Sequence, residues 1–460
     1  MPGLPVPGAD QQLAVTRSFK KRIVIFSHHA GVTGHWYDED VMSKTKRAYK
    51  TELKPNEGQK ALLARHCGAA RFAYNWGLAR KVESYQLSGK SPGAMDLHRE
   101  LNALKKTEYP WLYEVSKCAP QEALRDLDRA FANFFRRCEL KQQGKYRGKV
   151  GFPRFKSRKR SLGNFRLTGA VHVEKSRIKL PRLGWTRLKE NGYLRAEGDS
   201  IHILSATISE RAGRWFVSLQ VEEEKPAPVP ASGPAVGIDL GVKTLAACSY
   251  GEGAHVHHKN PRALYAGARK LRRLQKMLSR QEKGSNRREA TRKKVARQHY
   301  HVACIRSDAI HQATSQIVVK AKPPSERPCV IGVEDLNVSG MMKNRSLAKA
   351  VADASMREFR RQLEYKCAWY GIELVVVPRF EPTSKACSRC GWVKKDLTLS
   401  DRTFRCEACG HTADRDDNAA DNIRSLAVSS TERINGRGGD VRPVDFEGRT
   451  PVKRQLRRAG

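Results

Sequence analysis

Residues 383–423 read TSKACSRCGWVKKDLTLSDRTFRCEACGHTADRDDNAADNI, and this stretch constrains the fold more than any other. Cys387, Cys390, Cys406 and Cys409 are spaced C-x2-C-x15-C-x2-C. Each close pair can form a tight knuckle, and the two knuckles together offer four thiolates to one tetrahedral Zn²⁺. A loose cysteine cluster is the alternative that the spacing argues against. Directly downstream, Asp414, Asp416, Asp417 and Asp421 crowd into eight residues. This negative charge stands in a chain with 87 Lys and Arg against 47 Asp and Glu, a formal charge of +40. Either the carboxylates form a solvated helix start or something holds them together.

A surplus of that size exceeds what solubility requires and predicts a polyanionic partner. Membrane surface is the rival polyanion, but no apolar run approaches the roughly 18–20 residues of a spanning helix. The run at residues 23–26 is also shorter than the roughly 7–15 residues of a secretory core. A reducing compartment follows, in which the seven scattered cysteines of the eleven are free thiols rather than a disulfide framework. A length of 460 residues predicts two or three domains.

Residues 1–41 lack periodicity and read as a disordered leader or an extension upstream of the real start, with Met42 opening the first orderly segment. Tyr49, Thr51 and Leu53 alternate as in a strand, and Asn56 with Gln59 forms a capping-box pattern before a helix over about 58–86. Along that helix Arg71, Arg80 and Lys81 interleave with Tyr74 and other aromatics, a pattern that suits phosphate contact and base stacking but also plain core packing. Ala123, Leu124, Leu127, Ala130, Phe131, Phe134 and Phe135 recur at helical spacing, so residues 58–140 read as a helical unit. The run KQQGKYRGKVGFPRFKSRKR, which holds Arg154, Lys156, Arg158 and Lys159, is too poor in apolar residues to pack. It reads either as a flexible loop or as a segment ordered against phosphate. Over 165–221 the period changes to two, which predicts a small β-barrel or sheet that the strand at Tyr49 completes. KPAPVPASGP reads as a stiff linker ending this half.

Beyond the linker AVGIDLG reads as a buried strand carrying Asp239 where an apolar residue would continue the run, an arrangement costly unless the carboxylate binds something. Two basic helices with a turn at 284–286 follow, and they pair more easily with each other than with a second chain. CVIGVEDL is a second buried strand, ending in Glu334 and Asp335, and GIELVVVP is a third, with a helix before it. Residues 429–460 are polar, Gly-rich and basic, and read as a disordered tail. Asp239, Glu334 and the Asp414–Asp421 cluster thus lie on or beside strands of one α/β unit. Three converging carboxylates repel, and hard oxygen ligands of this kind suit Mg²⁺ or Mn²⁺. Two such ions can clamp a phosphodiester for hydrolysis. Acids salt-bridged to arginine are the structural alternative, and the residues alone do not choose among the four aspartates.

GIDLGVK, GVEDLNV, TSKACSRCG and DRDDNAADNI, in this order, resemble the RuvC-like core of the TnpB (OrfB) family of insertion-sequence proteins, relatives of the type V CRISPR effectors. YKTELKPNEGQ, RFAYNWGLA, ALRDLDRAFANFF and GFPRFKSRKR upstream, and KGSNRREATRKKVARQH in the hairpin, are similar to that family as well. The resemblance implies an α/β multidomain protein with an RNase H-like nuclease core at 235–382 and 411–428 and an inserted zinc ribbon at 383–410. It further implies a wedge-like β-barrel at 42–57 and 141–225, a helical recognition domain at 58–140 and a linker at 226–234. The implied catalytic and Mg²⁺-binding carboxylates are Asp239, Glu334 and Asp416. The implied partners are a guide RNA and double-stranded target DNA flanked by a short motif, bound by a monomer with RNA in a prokaryotic cytoplasm, nucleoid-associated on DNA. Met356 departs from the tryptophan frequent in the family, a change expected to alter packing more than chemistry. A transposase acting on transposon ends without RNA and a guided regulator that no longer cuts are the other readings. All three carboxylates and all four cysteines are present, which speaks against the latter.

Overall fold

The computed structural model describes residues 42–435 except 159–160, 195–197, 199, 252 and 399. The leader at 1–41, Lys159 and tail residues 436–460 lie outside the described residues.

Strand β1 (Met42–Lys54) is followed by three helices, α1 (Glu57–Ser88), α2 (Ala94–Leu104) and α3 (Cys118–Gln142). The capping box forms as the sequence suggests: Gln59 N–H donates to Asn56 Oδ1 at 2.8 Å and Asn56 N–H to Gln59 Oε1 at 3.1 Å. Six strands come next: β2 (Asn164–Leu167), β3 (His172–Val173), β4 (Arg177–Leu180), β5 (Gly184–Leu188), β6 (Ile201–Arg211) and β7 (Arg214–Pro226). Their order is β2-β6-β7-β1-β5-β4-β3, so the first strand of the chain lies inside the sheet, paired with β7 from Met42↔Pro226 to Leu53↔Trp215. The pairing never joins β2 to β3, and the expected barrel is an open sheet among the described residues. Its edge strands β2 and β3 are four and two residues long, too short to close it. Leu63, Ala73 and Leu78 of α1, Leu124 and Leu127 of α3, and Phe165, Leu167 and Val217 of the sheet share one core.

The proline-rich segment does not stand free. Ala231 N–H donates to Gly371 O at 2.8 Å and Gly233 N–H to Arg327 O at 2.7 Å, which docks the segment on the second half of the chain. A second sheet comprises β8 (Val236–Asp239), β9 (Thr244–Ser249), β10 (His255–Lys259), then β11 (Val330–Glu334) and β12 (Glu373–Val377). Between β10 and β11 lie α4 (Ala263–Arg280) and the long α5 (Asn286–Ile317), packed on each other. Between β11 and β12 lie α6 (Val338–Met341), α7 (Ala348–Ala354) and α8 (Met356–Tyr370). The sheet order is β10-β9-β8-β11-β12, antiparallel from β10 to β8 and parallel from β8 to β12. Ile310, Ala313 and Ile317 of α5 with Phe359 and Leu363 of α8 join Ile238, Ile331 and Val333 in its core. Met356 is buried in the same core.

The hairpin β13 (Thr403–Arg405) and β14 (Thr412–Asp414) runs without a break into α9 (Arg415–Asn435). Residues 429–435, assigned from sequence to a disordered tail, are helical. Ser429, Ser430 and Thr431 donate their hydroxyls to the carbonyls of Ser425, Leu426 and Ala427, so polar residues are satisfied on the helix itself. Helix α9 lies on β8 and β11. Gly237 and Gly332 are register partners on these strands and permit that approach. A Cβ at Gly237 would fall 2.1 Å from Ala420 O, and one at Gly332 would fall 2.8 Å from Ala427 Cβ. No described helix is long and apolar enough to cross a membrane.

Candidate metal centre and nucleic-acid surface

The register of the parallel strands brings the first two carboxylates together. Val333 pairs with Ile238, and one residue further, at the carboxyl ends of both strands, stand Glu334 and Asp239. Crevices outside strand carboxyl ends are where ligands bind in such sheets. Asp416 enters from above, in the first turn of α9. Burial first, then the Glu334 and Asp416 charges, push the Asp239 acid up to about 8, while Arg415 and the Leu240 N–H pull the other way. Crowded carboxylates that offer hard oxygen donors fit a divalent cation.

The four aspartates separate by their partners. Asp414 Oδ1 accepts the Asp416 N–H at 2.8 Å and so caps α9. Asp417 meets His257 Nε2 of β10 at 2.5 Å. Asp421 accepts from Ser249 Oγ and meets His255 Nε2 at 3.0 Å. Asp416 is the one whose charge reaches Asp239, and its ion-pair partner is the adjacent Arg415 at 3.5 Å. Asp335, next to Glu334, turns elsewhere: Arg360 at 2.9 Å and Arg379 at 2.6 Å hold its carboxyl below the usual carboxylate range.

Among the described residues, the four cysteines form the group of potential ligands whose donor atoms all lie within 4.8 Å of one another. The three carboxylates are not gathered to that spacing. Cys387 Sγ lies 3.7 Å from Cys409 Sγ, and Cys390 Sγ lies 3.5 Å from Cys406 Sγ. Zn–S bonds of about 2.3 Å place tetrahedral sulfurs about 3.8 Å apart, so this donor set fits Zn²⁺. Each knuckle closes on a glycine with positive φ, Gly391 at 78° and Gly410 at 70°. Gly391 N–H donates to Cys387 O at 2.9 Å and Gly410 N–H to Cys406 O at 3.1 Å. The second knuckle is carried by the hairpin whose last strand becomes α9, so the metal-binding loop and Asp416 belong to one continuous segment.

Sequence reading had no role for the asparagines of NAADN. Asn418, fully buried, accepts the Ser388 N–H at 2.9 Å and donates to Ala386 O at 2.7 Å. Asn422, one turn on, donates to Thr383 O at 2.7 Å and Ala386 O at 2.8 Å. The i, i+4 spacing of two amides beside a cysteine motif was the available signal. Thr383, also unremarked, donates its hydroxyl to Glu334 Oε1.

The nucleic-acid contacts anticipated on α1 divide. Tyr74 is buried, with Lys156 Nζ 3.8 Å over its ring, and Lys81 is buried against Asp128 at 2.9 Å. Both are therefore packed inside the helical unit, which favours the core-packing alternative over phosphate contact and base stacking for these two residues. Arg80 is spent on Glu83 and Glu100, each at 2.7 Å. Arg154, Lys156 and Arg158 are exposed. Arg71, Arg154, Phe155 and Lys156 line a cavity of about 470 Å³ between α1 and the basic run.

Three family profiles match this chain: "Helix-turn-helix domain" (HTH_OrfB_IS605) over residues 42–90, "Probable transposase" (OrfB_IS605) over 218–345, and "Cas12f1-like, TNB domain" over 357–423. A Streptomyces pristinaespiralis protein named "Putative RNA-guided DNA endonuclease" is 36% identical over 91% of this chain and 98% of its own length. Its counterpart InsQ of Escherichia coli (strain K12), which bears the same description, is 34% identical over 83% of this chain and 92% of its own. A solved Cas12f1-sgRNA-target DNA complex aligns with 83% of this chain and 99% of its own at 16% identity and a TM-score of 0.32, too low to carry an argument. The relatives match nearly end to end, and the motifs that carry the resemblance are those that build the carboxylate and cysteine clusters: this chain is a member of the TnpB (OrfB) family of RNA-guided DNA endonucleases.

Proposed function

We propose that the five-stranded sheet with α9 is an RNase H-like RuvC nuclease core that hydrolyses DNA phosphodiesters with Asp239, Glu334 and Asp416 as ligands of Mg²⁺ or Mn²⁺. The observation that carries this reading is the juxtaposition of Asp239 and Glu334 at the carboxyl ends of the paired strands β8 and β11 with Asp416 in the first turn of α9, close enough for its charge to act on the buried Asp239. Bound divalent cations would supply activation of water and charge stabilisation of the phosphoryl oxygens. Asp239 and Glu334 offer their oxygens from rigid strand ends, and Asp416 from a helix start that the ribbon fixes. The strand order, antiparallel on one side of β8 and parallel on the other, supports the RNase H-like reading. The cysteine quartet holds Zn²⁺ structurally, with no open position for substrate.

The seven-stranded sheet and α1–α3 form the wedge-like and recognition parts, 42–57 with 141–225 and 58–140, and grip a guide RNA and double-stranded DNA through phosphate. Arg71, Arg154, Lys156 and Arg158 remain the contacts proposed there. A charge of +40 supports a backbone grip with sequence delegated to base pairing. The test is a reconstituted RNA whose 3′ segment is reprogrammed, supplied with Mg²⁺ and a DNA library. Cutting is expected to move to the new target beside one short motif and to vanish without RNA. Joining or cutting at transposon ends by RNA-free protein would overturn the reading in favour of a self-sufficient transposase.

A further inference from the structure

Thr383 precedes the first zinc-binding cysteine by four residues and is buried, 5% exposed. Its carbonyl accepts from Asn422 of α9 at 2.7 Å, and its N–H donates to Glu381 O at 2.8 Å. The same α9 face grips the first knuckle through Ala386 and Ser388, the latter lying between Cys387 and Cys390. The Thr383 backbone is thus held by α9 through the same Asn422 amide that also binds Ala386 of the ribbon. The Thr383 side chain donates to Glu334 Oε1 on β11. A threonine hydroxyl has one proton to give, and giving it to Oε1 fixes the rotation of that carboxylate while leaving Oε2 unoccupied by Thr383. A glutamate at a strand end has three side-chain torsions, and the Thr383 hydroxyl restricts the last of them.

We infer that Thr383 is a positioning residue through which the zinc-bound knuckle orients the Glu334 carboxylate toward the divalent cations. The inference rests on the nuclease reading. Partners of metal-binding carboxylates typically change metal affinity or activity by ~10–100-fold when removed. Valine has the shape of threonine without the proton, and serine keeps the proton without the methyl group. Both variants are made in the full chain, as is Asp239→Asn, and Mn²⁺ binding is measured by calorimetry. The component that Asp239→Asn abolishes defines the centre.

Thr383→Val is expected to weaken that component by about 10-fold or more and to raise the half-saturating Mn²⁺ for guided cleavage by the same factor, with zinc content unchanged. Thr383→Ser is expected to restore both. Wild-type Mn²⁺ affinity in Thr383→Val, or a serine variant no better than valine, would overturn the inference while leaving the nuclease reading intact. Loss of zinc in Thr383→Val would assign the residue to the folding of the ribbon and overturn it likewise. Mn²⁺ binding indifferent to Asp239→Asn would remove the nuclease reading, and this inference with it.

Discussion

At the scale of single residues, the centre is a place where like charges are held together against their own repulsion. Asp239→Ala, Glu334→Ala and Asp416→Ala are each expected to abolish guided cleavage with binding retained, because each ~1.4 kcal/mol of lost transition-state stabilisation is tenfold in rate. Asp417→Ala should be milder, since Asp417 is engaged by His257 rather than by Asp239. Cleavage assays on the four variants decide this, and a dead Asp417 variant beside an active Asp416 variant would reverse the assignment. The same repulsion has a signature in stability. The Asp239 acid in the folded chain sits at about 8, above an unfolded value near ~3.9. The folded state therefore keeps a proton that the unfolded chain has released, and stability without added divalent cation falls as pH rises from about 4 to about 8. Asp239→Asn should flatten that slope and melt several degrees higher at pH 8, a difference thermal melts across this range will read.

At the scale of elements, α9 is joined to its surroundings by four devices: the glycine pair beneath it, the asparagine amides to the knuckle, the aspartate–histidine contacts to β10, and the ribbon strand that runs into it. Gly237→Ala should force the helix off the sheet, since the new Cβ would meet Ala420 O at 2.1 Å. Overpacking of this kind typically costs about 1–3 kcal/mol. Both the melting temperature and cleavage should fall, whereas Gly198→Ala, with open space around its Cβ position and no positive φ, should leave cleavage unchanged. Cys406→Ser should release zinc and lower activity in proportion to zinc content, because β14 carries the second knuckle directly into Asp416. Metal analysis beside the cleavage rate checks it, and full activity without zinc would separate the ribbon from the centre.

At the scale of the whole molecule, the positive charge divides into cations already paired inside the protein and cations left for an external polyanion. Arg80 and Lys81 belong to the first group, and the exposed Arg154 and Arg158 are proposed for the second. Arg154→Ala should reduce the salt dependence of RNA release by about 0.7 in log–log slope for a single-strand phosphate, or about 0.9 for a duplex one. Lys81→Met should leave that slope alone while lowering the melting temperature, because it removes the Lys81–Asp128 ion pair and leaves Asp128 only the Ala94 N–H. Filter binding across a salt series distinguishes the two, and equal slopes for both variants would refute the division.

The succession of strands, the capped first helix, the zinc spacing and the placement of Asp239 and Glu334 at strand ends could be read in the sequence because each is a local matter of periodicity, cap chemistry or an acid interrupting an apolar run. The family was legible for the same reason, since its motifs are short and contiguous. The resemblance singled out Asp416 from Asp414, Asp417 and Asp421, and only the folded chain shows that the four face different partners: a helix N–H, a β10 histidine, a β9 serine with a second histidine, or the buried Asp239. The open sheet, the docked proline-rich segment, the helical residues 429–435 and the burial of Tyr74 and Lys81 were likewise decided by partners distant in the chain. A residue type and its spacing specify what a side chain is able to do. Which of several equivalent side chains does it depends on packing across more than a hundred residues of sequence, and that exists only in the folded chain.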